Sequence, residues 1–194
     1  MHKLYNVLAI SGSTRARSTN LNLIRAIAGM SKEFFNITIY DGLLRLPHFN
    51  PDEDTEPGME PRAIRDFRKT LRAADAILIC SPEYAIGVPG ALKDAIDWTV
   101  SSMEFSRKPV ALITASTSGH KAHASLLGTL LIIESRITED TQLVVSAVKT
   151  KVNHNNQITD AGLLQQLQKL IRSLYQVITA PDSVTTYLPA PGLY

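Results

Sequence analysis

The chain has 194 residues, 44% of them hydrophobic, enough to bury one substantial core and a length that favours a single domain over two. A formal charge of +2, with Lys and Arg spread along the chain, gives no basic face for nucleic acid or for a membrane surface, and no apolar run approaches the ~20 residues of a spanning helix. A lone cysteine, Cys80, and an N-terminus without a signal-peptide pattern fit a reducing, cytoplasmic setting and leave a small-molecule site as the expectation.

The first apolar run, Asn6–Ser11, predicts a strand. It opens into Ile10 to Ile24, "ISGSTRARSTNLNLI", where five hydroxyl side chains and two arginines precede the returning apolar residues. Leu23, Ile24, Ile27 and Ala28 then form a helical stripe. Ser18 is a natural N-cap, and the free N–H groups and positive end of the helix favour an anion such as a phosphate. Ser11, Ser13, Thr14, Ser18 and Thr19 can donate hydroxyl hydrogens, and Arg15 a charge-assisted bond. Asn20, one turn before Ile24, faces the sheet and can tie the loop down or touch the ligand. Capping alone explains Ser18 and Thr19 but not so many donors in one turn. The G-x-x-x-x-G-K-[ST] and G-x-G-x-x-G patterns are both absent, and the loop has no cysteine nucleophile, so a phosphate here would be held and not attacked.

Asn36–Tyr40 predicts the second strand. The irregular segment Asp41–Pro61, with an acidic run at Asp52–Glu56, reads as a solvated surface loop. Ile64, Phe67 and Leu71 mark a second helix and Ala76–Ser81 a third strand, whose Cys80 reads as a small buried hydrophobe. Then comes "SPEYAIGVPGALKDAIDW", Ser81 to Trp98. Pro89 suits the first turn of a helix carrying Leu92, Ala95 and Ile96, which leaves Glu83–Val88 to offer backbone groups to a planar heterocycle and Tyr84 to cover one face. Asp94 and Asp97 read as solvated or interfacial, and Trp98 as packing at a helix end or an oligomer contact. Val110–Thr114 predicts strand four, followed by "TASTSGHKAH", whose His120 and His123 lack metal-ligand spacing and read as structural or rim residues. Leu126, Leu127, Leu130 and Leu131 mark the fourth helix, Gln142–Val148 the fifth strand, and Leu163, Leu167, Leu170, Ile171 and Leu174 the fifth helix. Such alternation predicts an α/β fold: an open doubly wound parallel sheet with helices on both faces. Five strands suggest the flavodoxin-like order 2-1-3-4-5, with a ligand crevice at the carboxyl ends of strands one and three, where three loops converge.

"GSTRARSTN" together with "SPEYAIGVPGALKDAIDW" resembles the NADPH-dependent FMN reductases, the flavodoxin-like group that includes quinone, chromate and azo-dye reductases. The resemblance implies a flavodoxin-like FMN-binding domain over residues 1–194, with NADPH or NADH as co-substrate and a quinone-like or other small molecule as electron acceptor. It implicates Ser13, Arg15, Ser18 and Asn20 in holding the FMN phosphate, with Ser11 also among the cofactor-binding residues. Pro82, Glu83 and Tyr84 would meet the ring and ribityl chain, Glu83 mainly through its backbone, with Ala85 beside the flavin, and Ser116, Ser118 and Gly119 the flavin edge. It also implies a homodimer or homotetramer, and no catalytic side chain or metal. A flavodoxin-like electron carrier without nicotinamide chemistry is the alternative, and the near-neutral charge favours the enzyme. Ala85 stands where the family usually has asparagine, which implies looser flavin or a roomier acceptor pocket.

Overall fold

The computed structural model describes residues 3–56, 58–181 and 186–192. Its sheet has five parallel strands, β1 Tyr5–Ser11, β2 Phe35–Tyr40, β3 Ala76–Ser81, β4 Val110–Ala115 and β5 Gln142–Val145, in the order β2-β1-β3-β4-β5. The intervening helices are α1 Thr19–Met30, α2 Arg62–Ala73, α3 Gly90–Asp97, α4 His120–Ile132 and α5 Ala161–Thr179. Alternation along the strands divides the core in two. Val7, Ala9, Leu78 and Cys80 pack with Leu23 and Ile27 of α1 and Leu167 and Leu174 of α5. Leu8, Ile10, Ile77 and Ile79 turn the other way, toward Phe67 and Leu71 of α2, Leu92 and Ile96 of α3, and Leu126 and Leu130 of α4. β3 and β4 are buried throughout, whereas the edge strand β2 exposes Asn36 and Thr38, because only one of its long edges is paired.

One expectation is corrected. The fifth strand stops at Val145, not Val148: Ala147 takes a left-handed φ of 52° and Val148–Thr150 forms a 3-10 turn. The N–H groups of Ala147 and Val148 bond the carbonyls of Thr117 (3.1 Å) and Ser116 (3.2 Å), so the chain turns over the β4 loop. Val148 is buried as a strand residue would be, which is why hydropathy extended the strand through it. The segment Asp41–Pro61 is a surface loop with its acidic run mostly exposed, as expected, but it is tied down at several points; Pro57 lies outside the described residues. Fully buried Trp98 donates its indole N–H to the Pro47 carbonyl (3.0 Å) and meets Phe49 edge-on at 5.1 Å. Asp94 accepts from the Phe49 N–H (3.3 Å) and pairs with His48 (2.8 Å). The Arg68 guanidinium and Asp54 carboxylate, 2.7 Å apart, are almost wholly buried against α2, and removing either partner alone would strand a buried charge.

Candidate active site

The β1–α1 loop is pulled close to β3. Gly12 donates its N–H to the Cys80 carbonyl (2.9 Å), and a Cβ on Gly12 would lie 2.5 Å from Ser81 Oγ and 2.9 Å from Leu92 Cδ2, so only glycine fits. Ser11 Oγ accepts from the Ser13 N–H at 3.3 Å, which folds the loop back on itself. Ser18, nearly buried in an extended conformation, caps α1 by accepting from the Leu21 N–H (3.4 Å). The N–H groups of Ser18, Thr19 and Asn20 have no acceptor among the described residues, while Arg15 and Arg17 stand exposed beside them. Asn20 is buried as a strut: its Nδ2 donates to the Ala115 carbonyl (3.1 Å) and its Oδ1 accepts from Cys80 Sγ (3.2 Å), joining α1 to β3 and β4. Burial pushes the Cys80 thiol pKa up and keeps it a neutral donor.

The β3–α3 loop carries two devices. Tyr84 and Gly87 exchange both backbone hydrogen bonds (3.0 and 2.9 Å) across a two-residue reversal whose central residues, Ala85 (φ 49°) and Ile86 (φ 65°), are both left-handed. This is a type I′ turn, which favours Asn-Gly, built here from alanine and a β-branched residue. Before the turn, the Glu83 carboxylate reaches the start of α4 and accepts from the N–H groups of Ala122 (2.9 Å), Lys121 (3.0 Å) and Gly119 (3.3 Å). Those bonds, led by the one from Ala122, hold the Glu83 carboxyl below the usual carboxylate range. α4 needs this donated cap. Its own N-cap is Gly119 at φ 96°, its first turn has no acidic residue, and it begins with His120 and Lys121 against the helix dipole. Tyr84 Oη lies 3.4 Å from Ser13 Oγ, so the β1 and β3 loops meet.

The β4 and β5 loops brace each other. Besides the Ala147 and Val148 bonds, Ser146 Oγ donates to the Ser118 carbonyl (2.8 Å). Behind them His123 is buried in an all-protein network, with Nδ1 3.0 Å from Thr114 Oγ1 and Nε2 2.6 Å from Gln142 Oε1, and burial lowers its pKa. Among the described residues no cluster of three metal-ligating side chains is present. Together the loops enclose a cavity of about 350 Å³ to which Ser13, Arg15, Ser18, Asn20, Pro82, Glu83, Tyr84 and Ser116 contribute.

Residues 5–150 match the family model described as NADPH-dependent FMN reductase. The chain belongs to this family. It is 30% identical over 173 residues to an NAD(P)H-dependent FMN reductase of Pseudomonas aeruginosa, covering 87% of this chain and 92% of the relative. A quinone reductase of Escherichia coli is 25% identical over 173 residues, covering 86% and 92%. The solved flavoenzyme NAD(P)H:(acceptor) oxidoreductase of Paracoccus denitrificans superposes with a TM-score of 0.71 at 22% identity, over 90% of this chain and 97% of that one, which matches the fold. As an FMN reductase family member the chain is an oxidoreductase that works with FMN and a reduced nicotinamide.

The cavity fits that cofactor on its own chemistry. Unbonded N–H groups at the positive end of α1, the Ser13 hydroxyl and two guanidinium groups form a donor set for a phosphate ester. Of the residues implicated from sequence, four lie outside the lining. Ser11 works inside its loop, Ala85 sits at the tip of the reversal, Ser118 is exposed with its carbonyl on Ser146, and Gly119 gives its N–H to Glu83. The lining also holds residues the sequence reading did not single out: Arg17, Thr117 and the run Ala147–Thr150 with Lys149. The signal for Lys149 was topological, since the loop after any strand of such a sheet opens at the carboxyl edge. Extending β5 to Val148 hid that loop.

Proposed function

We propose that this crevice seats FMN with its phosphate at the start of α1, against Ser13, Arg15, Arg17 and Ser18, and its ring beside Pro82, Glu83, Tyr84 and Ser116, and that the enzyme passes electrons from NADPH or NADH to quinone-like acceptors. The observation that carries the reading is the contrast between helix ends: the α1 N-terminus is open with arginines beside it, while the α4 N-terminus is filled by Glu83. FMN held there supplies hydride acceptance from the nicotinamide and delivery of electrons to the acceptor, so no side-chain acid or base is required. Arg15, Arg17 and Lys149 give the lining a positive potential that favours anionic ligands and draws in a dinucleotide. Glu83, committed to three N–H groups, fixes the β3 loop against α4 and is not a proton donor. One site visited in turn by nicotinamide and acceptor gives ping-pong kinetics. The acceptor class is supported by the quinone reductases among the relatives. We expect a homodimer or homotetramer, for which exposed Ile86 and Met103 offer apolar surface, and a cytoplasmic setting; no helix among the described residues is long and apolar enough to cross a membrane.

The visible spectrum tests the reading. Flavin bands that bleach with anaerobic NADPH and return when a quinone is added support it. Bands that persist under NADPH remove the nicotinamide step and favour an electron carrier. Bands that bleach but do not return with quinones overturn the acceptor class, and absence of bands after incubation with FMN overturns the seat.

A further inference from the structure

A second cavity, of about 360 Å³, lies on the other side of the β1–α1 loop, above the carboxyl ends of β1 and β2. It shares Ser13 and Arg15 with the flavin cavity. One wall is apolar, with Leu21, Ile39 and the exposed Leu44, and offers a surface for a flat ligand face. Its polar groups are unequal. Asp41, immediately after β2, is engaged by Arg45 at 3.0 Å, whereas the Arg25 side chain of α1 makes no hydrogen bond or ion pair among the described residues.

We propose that this cavity seats the adenosine end of the nicotinamide co-substrate, with Arg25 reading the 2′-phosphate that separates NADPH from NADH. A ribose diol is matched by a carboxylate free to accept its hydroxyls, and a phosphate monoester by an unpaired guanidinium. Here the Asp41 carboxylate is paired with Arg45 at the exposed rim, while the Arg25 guanidinium has no partner among the described residues, so the phosphorylated ribose is the better-matched partner. The shared wall suits a dinucleotide that lies along the flavin and ends beyond the flavin's own phosphate. This inference rests on the neighbouring cavity being the flavin seat, and adds a residue outside that cavity.

The test compares the wild type with Arg25→Ala and Arg25→Lys, all loaded with FMN. Removing the guanidinium is expected to raise the KM for NADPH by about 10- to 100-fold, the range of one charge-assisted contact, to move the KM for NADH by less than about threefold, and to leave FMN affinity near its original value. Arg25→Lys recovers part of the loss. Calorimetric titration with adenosine 2′,5′-bisphosphate reads the site without turnover and should show the same order of variants, with adenosine 5′-monophosphate indifferent to them. Equal losses for NADPH and NADH, no loss for either, a loss confined to the quinone, or bisphosphate binding unmoved by Arg25→Ala would each overturn the assignment. Absence of flavin bands would defeat the reading of the first cavity, and the bisphosphate titration would still decide this one.

Discussion

Helices α1 and α4 both begin at the crevice, directly after central strands, yet their first turns are used in opposite ways. α1 is capped from within by Ser18, which takes the Leu21 N–H and leaves those of Ser18, Thr19 and Asn20 without an acceptor among the described residues. α4 has no capping side chain of its own and takes a carboxylate from a residue 36 positions from Gly119. The first end is an anion site held open; the second is an anion site already filled by the protein. On the proposed seat for FMN, closing α4 leaves α1 as the helix end open to the phosphate. Glu83 does so while belonging to the loop that faces the ligand, so closing α4 also fixes the position of Pro82 and Tyr84.

The largest effect should come from the open end. Arg15→Ala removes a charge-assisted contact and is expected to weaken FMN by about 10- to 100-fold while riboflavin, which lacks the phosphate, barely changes. Fluorescence titration of both ligands decides the matter: equal losses would mean that the arginine supports the loop and does not read the phosphate.

The closed end should respond differently. Glu83→Ala exposes the N–H groups of Gly119, Lys121 and Ala122 and loosens the link between the β3 and β4 loops, so FMN and riboflavin are expected to weaken alike, by several-fold. Glu83→Gln, which keeps an acceptor oxygen, should recover most of the loss. The sign of the pH effect follows from the lowered pKa. The carboxylate contribution is complete above the unfolded value of about 4.3 and is lost as pH falls through the depressed folded value. Protection of the Lys121 and Ala122 amides, taken relative to the intrinsic exchange rate at each pH, should fall over that acid range in the wild type and not in Glu83→Gln. A loss confined to FMN in Glu83→Ala would show that α4 was never closed and takes part in holding the phosphate.

Strand order, helix stripes and the convergence of three loops could be read from the chain because each is a local pattern repeated along it. Ser18, with its position fixed by one helix start, was equally legible. The Glu83 side chain was not, since its partners lie far along the chain and no periodicity joins a glutamate to another helix's missing cap; the deficit in "SGHKAH", with no acid and two basic residues at a helix start, was the only trace. Asn20 was read as facing the sheet, which is right, but the choice between tying the loop and meeting a ligand depended on where Cys80 and Ala115 came to rest. Lys149 was lost through Val148, whose burial is the same in a 3-10 turn as in a strand. The segment Asp41–Pro61 was legible as a surface loop, but the burial of Asp54 within its exposed acidic run was not, because it depends on Arg68 of α2.

The smallest effect separates two explanations of Ala85. From sequence, its departure from the family's usual asparagine suggested a lost flavin contact. In the structure its side chain is outside the cavity lining and its backbone is the first centre of a type I′ turn, with φ 49°. A left-handed conformation costs an ordinary residue about 1–2 kcal/mol, and asparagine tolerates it better. Ala85→Asn should therefore recover about 0.5–1 kcal/mol of that strain, raising Tm by roughly 1–4 °C for a chain of this size and changing FMN affinity by less than about threefold. Ile86→Gly, at the second centre, should move Tm in the same direction, since glycine is the favoured partner there. The pair of measurements discriminates. Tighter FMN with no change in Tm would restore the flavin-contact explanation, whereas a raised Tm with unaltered FMN means that the sequence departs from its family at a strained backbone position and not at a ligand contact.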